Sequence, residues 1–393
     1  MTQTALVIGA GPAGLMAADI LSAAGLRVTI ADRMPSVGRK FLMAGKSGLN
    51  LTKAEDQDRF AARYPHLAPS LSDALQDFGP DAVAQWAANL GQPLFTGTTG
   101  RVFPTAMKAS PLLRAWLARL DSAGVTRRLR WCWTGWYGDA CLFETPDGPQ
   151  RITADITILA MGGASWRRLG SDGAWADKLR DKTAPFRPAN CGFRVDWSPH
   201  MAVVTGHPVK ATALRAGDIV SRGEWVITAQ GVEGGGIYDI SHAIARGHRL
   251  TVDLVPDLSP PTLTDRLSKV PPKTSLANTL RKTLRLPAVK VALFNECARN
   301  MDRTPQAVAQ ALKSLHVPVA APLPIDQAIS TAGGLRWDTL DGFALRDRPR
   351  TYCAGEMLDW DAPTGGYLIT ACLATGRAAA LQALNDSKTL KTT

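Results

Sequence analysis

No C-x-x-C pair is present. The six cysteines, at positions 132, 141, 191, 297, 353 and 372, are scattered along the chain. That excludes the dithiol relay of a disulfide reductase, a disulfide frame and a zinc knuckle, and it fits reduced, small buried side chains in a cytoplasmic protein. H-E-x-x-H, P-loop and Ser/His/Asp arrangements are missing too. G-x-G-x-x-G occurs once, so no separate paired nicotinamide domain is visible. The one long apolar run, residues 5–26, has no Lys or Arg before it, is interrupted by Asp19 and is punctuated by glycines in its first half. A signal peptide or membrane anchor therefore gives way to a soluble reading with no membrane partner.

With 393 residues, 45% hydrophobic and 20% charged, the chain has the composition of a globular protein of two or three domains. The formal charge of +11 is spread out, apart from a denser stretch at 266–290 (Arg266, Lys269, Lys273, Arg281, Lys282, Arg285, Lys290). That stretch lacks the interleaved aromatics of a single-strand stacking platform. A basic enzyme that attracts anionic ligands is preferred to a nucleic-acid binder.

The N-terminal TALVIGAGPAGLMAADILSAAGLRVTIAD reads as strand, glycine turn, helix and strand. Ala5 to Ile8 is apolar without alternation, as in a strand buried on both faces. Gly9 permits the tight turn, Gly11 lets backbone amides approach a pyrophosphate, and Gly14 lets helix and strand pack closely. Pro12 suits the first helical turn, where its missing N–H costs nothing. The helix start then offers free amides and partial positive charge to phosphates. Asp32 closes the second strand, where a carboxylate accepts a ribose hydroxyl. This fingerprint specifies an adenine dinucleotide and does not separate FAD from NAD.

Residues 33–53 read as a basic, glycine-rich loop around Gly38-Arg39-Lys40 and Gly45-Lys46-Ser47-Gly48, and residues 54–124 as mainly helical, broken at 96–104. Trp131, Trp133 and Trp136 fall in antiparallel strands that turn at Gly138-Asp139. The strand 154–160 runs through Ala160 into Met161-Gly162-Gly163-Ala164-Ser165, where paired glycines suit close approach to a ligand. Residues 190–255 suggest a β domain and 262–316 have helical periodicity, so an insertion between two halves of a nucleotide domain is expected. Arg350–Ala354 is a strand, Gly355-Glu356 ends it, and Gly365-Gly366 opens a helix from Tyr367 whose free amides can face the same crevice. A ring that becomes anionic on reduction gains up to about 2 kcal/mol there, or roughly 40 mV for a two-electron couple. A flavin benefits from that and a nicotinamide does not.

Together, GAGPAG (9–14), GRKFLMAG (38–45) with Asn50, GRVFP (100–104), MGGAS (161–165), STAGGL (330–335) and AGEMLDWDAPTGGY (354–367) resemble the BaiN-type, aminoacetone-oxidase-like FAD-dependent oxidoreductases of bacteria. The resemblance implies an α/β fold in which a Rossmann-like FAD-binding domain is carried by two sequence segments, 1–189 and 325–393. It also implies a β-barrel-like insert at 190–255 and 317–324 and a helical insert at 256–316. By resemblance the FAD site comprises Gly9, Gly11, Pro12, Ala13, Gly14, Asp32, Arg33, Arg39, Lys40, Gly45, Asn50, Ala160, Gly162, Gly355, Glu356, Asp361, Gly365, Gly366, Tyr367 and Leu368. Trp131 adds a backbone contact to the adenine.

The chain departs from the family pattern at Lys46-Ser47-Gly48-Leu49-Asn50, at Leu368, and at Glu233-Gly234-Gly235-Gly236-Ile237-Tyr238. Substrate choice is expected to differ there. The leading expectation is hydride transfer between bound FAD and a small organic substrate, with NAD(P)H as transient reductant. His207, Tyr238 and His242 are candidates to face the ring, although a structural role is preferred for each, and no catalytic residue or metal is assigned. The alternatives are a flavin-dependent tRNA modifier, with nucleic acid as a less favoured partner, and a non-catalytic flavin-binding redox sensor.

Overall fold

The computed structural model describes residues 2–392 apart from Ser47, His66 and Pro272. Its chain forms two compact units, one of residues 1–187 with 330–393 and the other of residues 188–329.

The first unit is built on strands β1 (Thr4–Ile8), β2 (Arg27–Asp32), β3 (Thr126–Leu129), β4 (Ile156–Leu159) and β5 (Thr351–Cys353). They run parallel in the order β5-β4-β1-β2-β3, and two short strands, Ala344–Leu345 and Leu340–Asp341, extend the β5 edge antiparallel. Residues Leu6, Val7, Ile30, Ile158 and Leu159 are fully buried, which is why these strands read as unbroken apolar runs. Helix α1 (Pro12–Ala23) follows β1, and the long α3 (Tyr367–Thr392) follows β5. Connections leave β1 toward β2 on one side and the returning chain adds β4 on the other. The crevice at the carboxyl ends of β1 and β4 is therefore a topological switch point, where doubly wound sheets bind ligands. Helix α3 is long and apolar enough to cross a membrane, but most of its apolar stretch is buried in the unit, as in the core helix of a globular fold.

In the first unit, local structure differs from expectation in two places. Arg39–Ala44 forms a helix, α2, where the glycines on either side suggest a loop; Gly38, in the left-handed region at φ 64°, turns the chain into it. Ser47 of the expected loop lies outside the described residues. Between the helices of 54–124, Thr52–Lys53, Leu94–Thr96 and Arg101–Pro104 form a small antiparallel sheet.

The second unit holds two separate four-stranded antiparallel sheets, among the described residues, in place of one closed barrel. One contains Phe193–Arg194, Gly231–Glu233, Trp225–Ile227 and Pro208–Val209. The other contains Ile219–Ser221, Ala213–Ala216, Leu250–Asp253 and Leu315–Val317. A helix, Gly235–Ala245, occupies the stretch expected to be strand. Four further helices fill 260–313, and three of them start at side-chain caps: Ser259, Ser275 and Thr304 accept from Thr262, Asn278 and Ala307 N–H. Both sheets and these helices share one apolar core, so the β and helical inserts form one unit. Lys290, counted in the basic stretch, is buried in it. Its Nζ donates to the carbonyls of Ala211 and Leu254, each at 2.7 Å, and burial lowers its pKa.

Candidate functional site

The β1–α1 turn has three glycines with three different duties. Gly9 has φ 106°, and a Cβ there would lie 2.2 Å from the Ala160 carbonyl oxygen. A Cβ on Gly14 would lie 1.9 Å from the Gly9 carbonyl oxygen. Both are therefore fixed by packing within the protein. Gly11 is different: a Cβ there meets no heavy atom within 4 Å, because it opens on the cleft. Helix α1 starts at Pro12 with no side-chain cap and no acid in its first turn. Its leading amides and its positive dipole end are left for an external anion.

Asp32 stands at the end of β2. Its carboxylate accepts from the N–H groups of Ala10 and Met34, each at 2.7 Å, and keeps lone pairs free for a ribose hydroxyl. Burial raises its pKa above the usual 3.8, against the lowering effect of those N–H groups and of Arg33 and Arg39. A hydroxyl donated by a ligand favours the ionised form, so cofactor affinity should rise as pH increases through the raised Asp32 value of the apoprotein. Asp32→Asn should flatten that profile; titrations of apoprotein with FAD across the acid range, followed by fluorescence, measure it.

On the opposite wall an ion pair is almost enclosed. Lys40 Nζ, from α2, donates to both oxygens of Glu356 at 2.9 and 2.7 Å and to Ser165 Oγ at 2.7 Å. Glu356 is 7% exposed and also accepts from the N–H groups of Thr331 (3.2 Å) and Gly163 (3.4 Å). Lys40 and Glu356 thus compensate one another and pin four chain segments together. Gly355 precedes them in the left-handed region at φ 82°, where a Cβ would lie 2.7 Å from the Ala13 Cβ, and its N–H donates to Thr375 Oγ1 at 3.0 Å.

The start of α3 is seated on a different neighbour. A Cβ on Gly366, φ 97°, would lie 2.5 Å from the Thr52 Cα. The Asn50 amide, with its nitrogen turned inward, donates to the carbonyls of Thr52 (3.0 Å) and Gly365 (3.3 Å). The Tyr367 hydroxyl sits between Lys53 and Glu55, and burial with the Glu55 carboxylate raises its pKa. Helix α1 meets α3 further along, where a Cβ on Gly376 would lie 2.2 Å from the Ala13 carbonyl oxygen. Nine residues of helix separate Tyr367 from Gly376, a span of roughly 14 Å at 1.5 Å per residue.

The cleft is open to solvent, and about 1260 Å3 of space free of protein atoms lies along its wall, part of it outside the protein surface. Of the residues expected from the sequence, its wall contains Gly9, Gly11, Pro12, Ala13, Asp32, Arg33, Arg39, Lys40, Trp131, Ala160, Gly162, Gly355 and Glu356. Gly14 lies behind it as a packing residue, and Gly45 borders a neighbouring recess. Asn50, Asp361, Gly365, Gly366, Tyr367 and Leu368 stand outside this wall. His207, Tyr238 and His242 are in the second unit. The sequence reading missed Met34, Trp133 and the whole segment Leu169–Lys178, which supplies Leu169, Gly170, Ser171, Asp172, Ala174, Trp175 and Lys178. That segment is two 3-10 turns without apolar periodicity, and only its left-handed glycines, Gly170 and Gly173, hinted at a special conformation. Among the described residues, Ser171 Oγ and Arg39 Nε are buried in this wall without a hydrogen-bond partner, which fits a wall shaped around a polar ligand. No group of three or more His, Cys, Asp or Glu side chains is gathered as a metal would require, among the described residues.

Residues 3–382 match the family model described as the HI0933-like protein Rossmann domain. The 3-dehydro-bile acid delta(4,6)-reductase of Clostridium scindens is 27% identical, with 94% of this chain and 96% of that protein covered. The ribosomal RNA dihydrouridine synthase of Escherichia coli is 24% identical, over 92% of this chain and 93% of that protein. Among solved structures, the 3-ketosteroid delta1-dehydrogenase of Sterolibacterium denitrificans superimposes with a TM-score of 0.54 at 13% identity, covering 98% of this chain and all of that one. The 3-ketosteroid-delta4-(5alpha)-dehydrogenase of Rhodococcus jostii gives 0.51 at 15% identity and 96% coverage of both. At such identities the structural likeness speaks for the fold alone.

Proposed function

The chain belongs to the HI0933-like Rossmann-domain family and is an FAD-dependent oxidoreductase, and from that premise we propose that it reduces a carbon–carbon double bond conjugated to a carbonyl in a small organic substrate, with NAD(P)H as the source of electrons. The names of the two curated relatives support this reading. One acts on a 3-dehydro-bile acid and the other forms dihydrouridine, and both names describe saturation of such a bond. Bound FAD supplies the two-electron hydride chemistry.

The protein's own part is binding, orientation and exclusion of water. The backbone amides of Gly11 and Ala13 would receive the pyrophosphate, and Asp32 would accept a ribose hydroxyl. The Lys40–Glu356 pair adds no net charge to the cleft and fixes the geometry of its far wall. The start of α3, roughly 14 Å along the helix from its contact with α1, would then be on the side of the ring end of an extended dinucleotide. The observation that carries the reading is the open side of Gly11 at the switch point of the sheet, in a cleft whose wall also holds Ser171 Oγ and Arg39 Nε, buried without a partner among the described residues.

Purified holoprotein, mixed anaerobically with NADH or NADPH, should lose its oxidised flavin absorbance and recover it on addition of a conjugated enone. Flavin that is reduced but reoxidised only by air would replace this reading with that of an oxidase. Flavin that no nicotinamide reduces would favour a redox sensor.

A second reading, RNA as the substrate, is favoured by one feature of the second unit. Residues 266–290 contain no acid, and Arg266, Lys269, Lys273, Arg281, Lys282 and Arg285 are all exposed. Among the described residues, Lys269 alone of these is in an ion pair, with Asp265. Affinity for a ribosomal RNA fragment that falls steeply with salt would support it, and salt-independent or undetectable binding would remove it.

A further inference from the structure

We infer that Ser171 is a specificity-determining residue for the cofactor: its hydroxyl donates to an oxygen of the ADP half, and the segment around it clamps that half in place. The inference rests on FAD occupying the cleft of the first unit.

Ser171 is 7% exposed, it lines the cleft, and its Oγ is buried without a partner among the described residues. A buried hydroxyl left unbonded is costly, so an unsatisfied one in a cleft wall marks the place of a polar ligand atom. Its neighbours say which atom. A Cβ on Gly162, which follows β4, would lie 3.3 Å from Ser171 Oγ. Gly162 is across the switch point from the α1 amides, and the same short segment is joined to the residue after Asp32 by the Arg33–Asp172 ion pair. Ser171 therefore stands between the phosphate cradle and the ribose acceptor.

The segment that carries the hydroxyl is held in place. Gly170, at φ 105°, presses on Met34, so that a Cβ there would lie 2.6 Å from the Met34 Cγ. Gly173, at φ 68°, is pressed equally hard against Phe186 and Ala164. Trp175 Nε1 donates to the Gly162 carbonyl at 2.8 Å, and Asp172 Oδ1 accepts from Ala174 N–H at 3.2 Å. A backbone fixed by four such contacts on either side of Ser171 has little freedom left to lose on binding, which helps a hydrogen bond to add affinity.

The test uses apoprotein freed of FAD and three probes: ADP, FAD and FMN. Ser171→Ala should weaken ADP and FAD by roughly ten-fold, the worth of one buried hydrogen bond, and leave any FMN binding unchanged. Because none of the described residues is bonded to the hydroxyl, the apo variant should melt no lower than wild-type apoprotein. Asp172→Asn, which loosens the segment without removing the donor, should weaken ADP to a smaller degree. Unchanged ADP affinity in Ser171→Ala overturns the inference, as does an equal loss for FMN or a drop in apoprotein melting temperature, because either indicates a structural role. Wild-type protein that takes up no FAD would overturn the cofactor reading and the clamp together; wild type that loads FAD beside an unaffected Ser171→Ala would overturn the clamp alone.

Discussion

Gly11→Val should yield a folded protein that purifies without FAD, whereas Gly9→Ala should yield little folded protein at all. The two residues are two positions apart in one motif, and the difference is physical. A side chain at Gly11 meets no protein atom within 4 Å, so it grows into the cleft and takes the space through which the α1 amides reach a phosphate. Folding is left alone and binding is blocked. At Gly9 even a methyl group would stand 2.2 Å from the Ala160 carbonyl oxygen, on a backbone at φ 106° that L-residues rarely adopt. The β1–α1 turn would have to move away from the end of β4, and strain of several kcal/mol is a large part of a typical stability of about 5–15 kcal/mol. For Gly11→Val, the expected result is wild-type far-ultraviolet dichroism with at least a hundred-fold loss of FAD affinity. A yellow, normally loaded Gly11→Val variant would remove the phosphate cradle from α1. A well-folded Gly9→Ala variant would show that the turn is not packed as described.

The parts of the site that were legible in the sequence are those whose chemistry is local. Strand β1, the glycine turn, Pro12 and Asp32 each carry a residue type that only one backbone role explains, and they follow one another within 30 residues. Helix α2 was hidden because Gly38 and Gly45, which bound it, look like loop residues; Gly38 is a left-handed entry and Gly45 is pressed against Ala109 from a distant helix. The helix Gly235–Ala245 was hidden behind three glycines for a similar reason: Gly236 is forced by the Gly223 backbone, 2.4 Å from where its Cβ would be. The wall segment Leu169–Lys178 had no readable period, since its conformation is set by Arg33, Met34 and Phe186, all remote in sequence. Lys40 and Glu356 were legible as site residues but not as each other's partner, because 316 positions separate them.

That partnership makes the second large prediction. Lys40→Met removes the one cation, among the described residues, bonded to a carboxylate that is 7% exposed and otherwise accepts from the N–H groups of Thr331 and Gly163. Removing one partner of a buried pair costs on the order of 3–5 kcal/mol. The Lys40 side chain is 23% exposed, so solvent softens the loss toward the lower figure. Replacing both residues removes the uncompensated charge, so Lys40→Met with Glu356→Gln should be more stable than Lys40→Met alone, and the double-mutant cycle should be strongly non-additive. Chemical denaturation of the apoprotein at pH 8 checks this apart from cofactor binding. Additive losses, or a Lys40→Met variant as stable as wild type at pH 8, would mean that the pair only borders the cleft, and that the four segments meeting at Glu356 are held by packing alone.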